Sequence, residues 1–336
     1  MITPFRKSTV TVFGLTILAL VFVAGWFGGI TWFKTRHASS LEKEVRLGGY
    51  QFINPLLECE VGEETIGARE LQSFRHLTEQ FIQEKKQLHQ VSQVSVYFRD
   101  MNNGLVFNIA GEEKYAPASL LKVPLMMAYL KWAESSPGLL SKKLTNSSRQ
   151  DLNAGQYFTP LRSIEYGKSY TVDELLYYMI GYSDNNAYFL LFARIDRTIL
   201  HKVYTDLGLD VPKVKGPERW LSVVEYAAFY RMLFNASYLS KENSEKALAY
   251  LSLVDFKEGI VAGLPQNIVV AQKFGQRTLG SRNEITQMHD CGIVYYPNHP
   301  YLLCLMSSGS SVEQLDDMIS GISRLVYQEV DRQYRQ

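Results

Sequence analysis

Ser119 and Lys122, in Ala118-Ser119-Leu120-Leu121-Lys122, stand three residues apart. In a helical segment that spacing puts the lysine amine one turn from the serine hydroxyl. A serine becomes a nucleophile when a neighbouring base takes its proton, and a desolvated lysine is one such base. Alone the pattern is weak. Ser40-Leu-Glu-Lys43 repeats it in a charged stretch, and a lone serine at a helix start is ordinarily an N-cap. Two further groups add weight. Ser183-Asp184-Asn185 occurs once, and Lys273-Phe274-Gly275 brings a second lysine ahead of a glycine, a pattern that Lys257-Glu-Gly259 also fits. Two serines and two lysines so far apart in the chain make a proton-relay site only if the fold gathers them.

The pattern of apolar residues predicts the elements that would do so. Between Thr65 and Leu88, Leu71, Phe74, Leu77, Phe81 and Ile82 recur at helical spacing. Val91–Asp100 alternates as a strand, 101–104 is a turn and Leu105–Ile109 returns as a hairpin. An apolar helix opens at Ser119. Residues of about 132–258 read as a helical block, in which Thr171-Val-Asp-Glu174 is a capping box for a helix to Gly181. Leu221–Phe234 and Glu245–Leu253 are further helices. Strands return at Asn267–Gly275, Asp290–Tyr296 and Tyr301–Met306, and a helix closes the chain over Val312–Gln336. The order predicts an α+β domain of three-layer α/β/α type. N- and C-terminal strands share one antiparallel sheet, the helical subdomain is inserted between them, and the terminal helices cover one face. A cleft between sheet edge and helical block is the natural place for a site.

Bulk properties bound the partners. The 336 residues are 46% hydrophobic and 21% charged with a net charge of +1, and no basic block points to nucleic acid. Three cysteines, Cys59, Cys291 and Cys304, and six scattered histidines lack metal-ligand spacing, so no metal or other cofactor is expected. Ser8–Phe33 carries no charge and is flanked by Arg6-Lys7 and by Lys34 and Arg36. As a helix it would run about 39 Å, enough to cross a hydrocarbon core of roughly 30 Å. It exceeds the usual h-region of a signal peptide, about 7–15 residues. We therefore read 1–36 as an uncleaved, single-pass transmembrane anchor, 37–63 as a polar tether and extended segment, and 64–330 as the catalytic domain.

Ser119-Leu-Leu-Lys122, Ser183-Asp184-Asn185 and Lys273-Phe274-Gly275, in that order on those elements, resemble the class A β-lactamase and penicillin-binding protein superfamily of serine acyl-enzymes. The resemblance covers residues 64–330. It implies that Ser119 attacks an amide carbonyl and Lys122 takes its proton, directly or through water. It implies that Ser183 relays that proton to the leaving nitrogen, while Lys273 holds Ser183 and a substrate carboxylate. Asn185 would bond the substrate's amide side chain, the N–H groups of Ser119 and Gln276 would form the oxyanion hole, and Gly275 would let the substrate approach the strand.

Two departures qualify the resemblance. Phe274 replaces the usual hydroxyl residue, for which Arg277 or Arg282 are the available substitutes. The family's Glu-x-x-Asn loop is absent from Leu207–Trp220, where Glu218 is the one candidate for a deacylating base. The implied substrate is a β-lactam or a D-alanyl-D-alanine-like peptidoglycan stem peptide, met outside the cytoplasm. Efficient β-lactamase, penicillin-binding peptidase with slow deacylation, and a sensor acylated once all remain open. Cys291 and Cys304 fall on adjacent strands, and pairing among the three cysteines is open too.

Overall fold

The computed structural model describes residues 42–61, 67–212, 219–279 and 285–335. The uncharged run Ser8–Phe33 and Ser40 lie outside them. Among the described residues, no helix is long and apolar enough to cross a membrane. The stretch expected as a tether forms an antiparallel hairpin of β1 (Glu42–Arg46) and β2 (Leu56–Val61). The turn between them is fastened to the domain, because the Glu245 carboxylate accepts from the N–H groups of Gln51, Phe52 and Ile53 at 2.9–3.1 Å.

Then follow α1 (Gly67–Gln87), β3 (Gln93–Asp100), β4 (Val106–Ile109), β5 (Lys114–Tyr115) and α2 (Lys122–Ser135). A 3₁₀ turn over Ala118–Leu121 precedes α2, so Ser119 sits on the turn and the α-helix proper starts at Lys122. Every residue of α2 from Lys122 to Leu130 is buried, as expected of a helix apolar on all sides. The helical block holds β6 (Lys143–Thr145), β7 (Ser169–Thr171), α3 (Val172–Gly181), α4 (Asn185–Phe192), α5 (Arg197–Asp206), β8 (Leu221–Ser222), α6 (Val223–Phe234) and α7 (Lys241–Ser252). Thr171 and Glu174 make both bonds of the expected capping box. Ser222 and Glu225 make a second one, legible as Ser-x-x-Glu.

After α8 (Gly259–Ala262) come β9 (Val270–Leu279), β10 (Ile285–Val294), β11 (Tyr301–Gly309) and α9 (Val312–Tyr334). One five-stranded sheet has the order β4-β3-β11-β10-β9, with every neighbouring pair antiparallel. This is the expected union of N- and C-terminal strands. The terminal helices α1 and α9 pack together on one face, and α6 covers the other. The returning strands are longer than the sequence suggested, with β10 starting at Ile285 instead of Asp290. Cys291 and Cys304 face each other across β10 and β11 and are disulfide-bonded, which leaves Cys59 outside the bond.

Candidate active site

β9, an edge of the sheet, runs against the turn that carries Ser119. The contact depends on Gly275: a Cβ there would lie 2.9 Å from the Pro117 carbonyl oxygen and 3.2 Å from Leu120 Cγ. Besides the substrate approach that the resemblance implies, the glycine is needed to admit the turn. Two buried side chains of β10 hold the turn's entry. Gln287 Oε1 accepts from Ala116 N at 2.9 Å, and His289 Nε2 lies 3.0 Å from Ala116 O. That carbonyl oxygen accepts from an Nε2–H. Burial pushes His289 down to about 4, against the opposing bonds to Ala116 and Met288, so the ring is neutral near pH 7. Ala118 then takes a left-handed φ of +50° and Ser183 one of +55°. For residues with a Cβ such backbone costs on the order of 1–3 kcal/mol. The residue before Ser119 and Ser183 itself both carry it.

Behind Ser119, two lysines meet on one hydroxyl. Lys122 Nζ donates to Ser183 O at 2.6 Å, Asn185 Oδ1 at 2.8 Å and Ser183 Oγ at 3.1 Å. Lys273 Nζ donates to Ser183 Oγ and to Phe274 O, both at 3.0 Å. The sequence led us to expect Lys122 to reach Ser119, directly or through water. Among the described residues its bonds go to Ser183 and Asn185 instead. Both lysines are buried. Burial first, and the charge of Lys273 second, hold Lys122 well below its ordinary 10.5 against a pull from Asp184. Burial lowers Lys273 to about 7 against the opposing charge of Asp290. Desolvation of this kind keeps an amine available as a base near neutral pH.

The middle residue of Ser-Asp-Asn faces away from the cleft. Asp184 is fully buried and accepts from Asn186 N, Asn153 Nδ2, Ser163 Oγ and Ile164 N at 2.8–3.1 Å. Asn153 Oδ1 in turn accepts from Asn185 N at 2.7 Å and from Gln156 Nε2 at 2.8 Å. This network fixes the loop that carries Tyr157 and Phe158, two aromatics in a polar stretch that sequence reasoning passed over. Asn185 is less free than expected, since its Nδ2 donates to Leu152 O at 3.0 Å while its Oδ1 accepts from Lys122.

A cleft of about 590 Å³ opens in front of these groups. Ser119, Lys122, Asn185, Gln276 and Arg277 line it, together with the aromatic side chains of Tyr157, Phe158, Tyr188, Phe189, Trp220 and Phe274. Ser183 and Lys273 lie buried behind this lining. The lining among the described residues includes no carboxylate. Glu218 and Arg282 lie outside the described residues.

The sequence pattern of the Beta-lactamase enzyme family matches residues 78–330. The chain belongs to the beta-lactamase enzyme family. No curated protein matches it. Among solved structures, it is similar to PBP-A in the form of a mutant's acyl-enzyme complex with penicillin-G, at 22% identity and a TM-score of 0.64 over 77% of this chain and 97% of that one. A beta-lactamase from Chitinophaga pinensis aligns at 20% identity and a TM-score of 0.65, over 77% and 99%. A variant of the last common ancestor of Gram-negative bacteria beta-lactamase class A aligns at 25% identity and 0.64, over 77% and 100%. As a member of this family the protein is a serine β-lactamase-like hydrolase.

Proposed function

We propose that the protein is a membrane-anchored serine acyl-enzyme of class A type, which opens β-lactam or D-alanyl-D-alanine-like amides through an ester on Ser119. The observation that carries this reading is the meeting of Lys122 and Lys273 on the Ser183 hydroxyl, behind a cleft lined by Ser119. Neutral Lys122 accepts the Ser119 proton as Oγ attacks the carbonyl. Ser183 Oγ passes its proton to the leaving nitrogen and takes one back from Lys122 Nζ, 3.1 Å away, which returns Lys122 to its neutral form, while Lys273 stabilises charge on that oxygen. The Ser119 and Gln276 N–H groups hold the developing oxyanion, where one donor is typically worth about 2.7–4 kcal/mol. Ser8–Phe33 anchors the chain, with the domain outside the cytoplasm where wall peptides and β-lactams are met.

A second reading concerns release. The family's Glu-x-x-Asn is missing from the sequence Leu207–Trp220, which favours a penicillin-binding peptidase whose β-lactam ester is long-lived. Glu218 is the candidate base under the alternative of rapid turnover. A fluorescent penicillin separates these readings. Incubated with the full chain, it labels the parent and leaves Ser119→Ala unlabelled. Label on Ser119→Ala removes this serine as nucleophile. On the parent, a label lasting hours marks the peptidase, and loss within seconds, with product release, marks the β-lactamase.

A further inference from the structure

Ala118 carries its left-handed φ of +50° immediately before the nucleophile, and such backbone persists only where its surroundings over-determine it. The restraints stand on either side. After Ser119, the buried Tyr226 Oη donates to Leu120 O at 3.2 Å. Before it, both backbone groups of Ala116 are taken by β10, the N–H by Gln287 Oε1 at 2.9 Å and the carbonyl by His289 Nε2 at 3.0 Å. Gln287 and His289 are two residues apart on the strand and so share a face. His289 lies directly opposite Gly275 in the ladder. The edge strand therefore presents no side chain there, and the turn comes close enough to be held from an interior strand.

Both side chains are set for this contact. The His289 ring is wholly buried, with the Tyr115 ring edge-on at 5.4 Å. Its Nδ1 accepts from Ser307 N at 3.4 Å, which leaves the proton on Nε2, where it faces Ala116 O. Gln287 is wholly buried too, and its Nε2 has no hydrogen-bond partner among the described residues. An unmet buried donor costs stability that an apolar side chain would not. The bond to Ala116 N is what the amide supplies in return.

We infer that Gln287 and His289 are positioning residues for the nucleophile. By gripping Ala116 they keep Ala118 in its strained conformation, and with it the Ser119 hydroxyl and N–H at the cleft. Neither side chain lines the cleft, so their effect passes through the turn. The assignment rests on the acyl-enzyme reading above, in which that hydroxyl attacks.

The test follows acylation of the full chain in detergent by benzylpenicillin, read by intact-protein mass spectrometry. His289→Phe keeps a ring against Tyr115 and removes the donor. Acylation should slow roughly ten- to a hundredfold, the scale of a small misplacement of reacting atoms. Ala118→Gly separates positioning from packing, because glycine takes a positive φ without help. In that background the loss on His289→Phe should shrink to about threefold or less, a coupling that independent sites do not show. Gln287→Met removes the other bond and leaves the ring in place, so it gives the same comparison where His289→Phe folds poorly. Equal losses in both backgrounds, or a parent rate in both His289→Phe and Gln287→Met, overturn the inference while Ser119 acylation stands. A parent that benzylpenicillin does not label removes the acyl-enzyme reading, and this assignment with it.

Discussion

Lys273 and Asp290 are buried on adjacent strands, and burial pushes their affinities for protons in opposite directions. Desolvation lifts Asp290 from 3.8 to about 7, partly offset by the Ile260 N–H and by Lys273. Desolvation lowers Lys273 from 10.5 to about 7. Between pH 3.8 and 7 the folded state holds a proton on Asp290 that the unfolded chain has lost, so this group's contribution to stability falls as pH rises. Between pH 7 and 10.5 the unfolded chain holds a proton on Lys273 that the folded state has lost, so stability rises with pH. The pair therefore sets a stability minimum near neutrality. Asp290→Asn keeps an acceptor for the Ile260 N–H, 2.9 Å away, and cannot ionise. Its melting temperature is expected to exceed the parent's at pH 7.5, with the difference shrinking toward pH 4. The ceiling is about 4 kcal/mol, the equivalent of moving a carboxyl from 3.8 to about 7. Thermal melts across this range check it, and a parent-like slope below pH 7 in the variant would clear Asp290 of the effect.

The strands β9 and β10 act on chemistry through the turn they hold. Gly275→Ala would press a methyl group against the Pro117 carbonyl and Leu120, and backbone at that spacing yields only by moving the turn. Acylation by penicillin is expected to fall more than tenfold while the far-ultraviolet circular dichroism stays that of the parent. A parent rate in this variant would mean that the spacing between β9 and Ser119 has slack. This dependence also explains what the sequence concealed. The start of β10, Ile285-Thr-Gln-Met-His289, reads as polar, yet all of it after Ile285 is buried. Gln287 and His289 are inside because they clamp Ala116, a partner 171 and 173 residues away that periodicity has no means to show. The capping box at Thr171 was legible because its two bonds are local. Ser119, Ser183 and Lys273 were legible as residue types at fixed spacings. The lysines' attachment to Ser183, and the turn of Asp184 away from the cleft, depend on how α2, α4 and β9 pack, which no short window contains.

The N-terminal hairpin bears on how the domain is carried. If Ser8–Phe33 is the anchor, the eight residues 34–41 separate it from β1, and a fully extended chain of that length reaches at most about 28 Å. Glu245 extends the restraint into the domain. Its carboxylate accepts from three successive N–H groups at Gln51–Ile53, while Asn54 N donates to Phe234 O at 2.9 Å and Tyr295 Oη donates to Phe52 O at 2.9 Å. Hydrogen bonds to a charged acceptor are individually worth about 1.5–3 kcal/mol, so Glu245 adds substantially to a docking that also buries Phe52 and Ile53 in the core. Glu245→Ala is expected to speed amide exchange at residues 51–53 by roughly thirtyfold, the equivalent of about 2 kcal/mol. Acylation of Ser119 should stay within about twofold of the parent, because Glu245 lines no part of the cleft. Exchange followed by mass spectrometry reads the first effect and penicillin labelling the second. Unchanged protection at 51–53 would assign the docking of this turn to Asn54 and Tyr295.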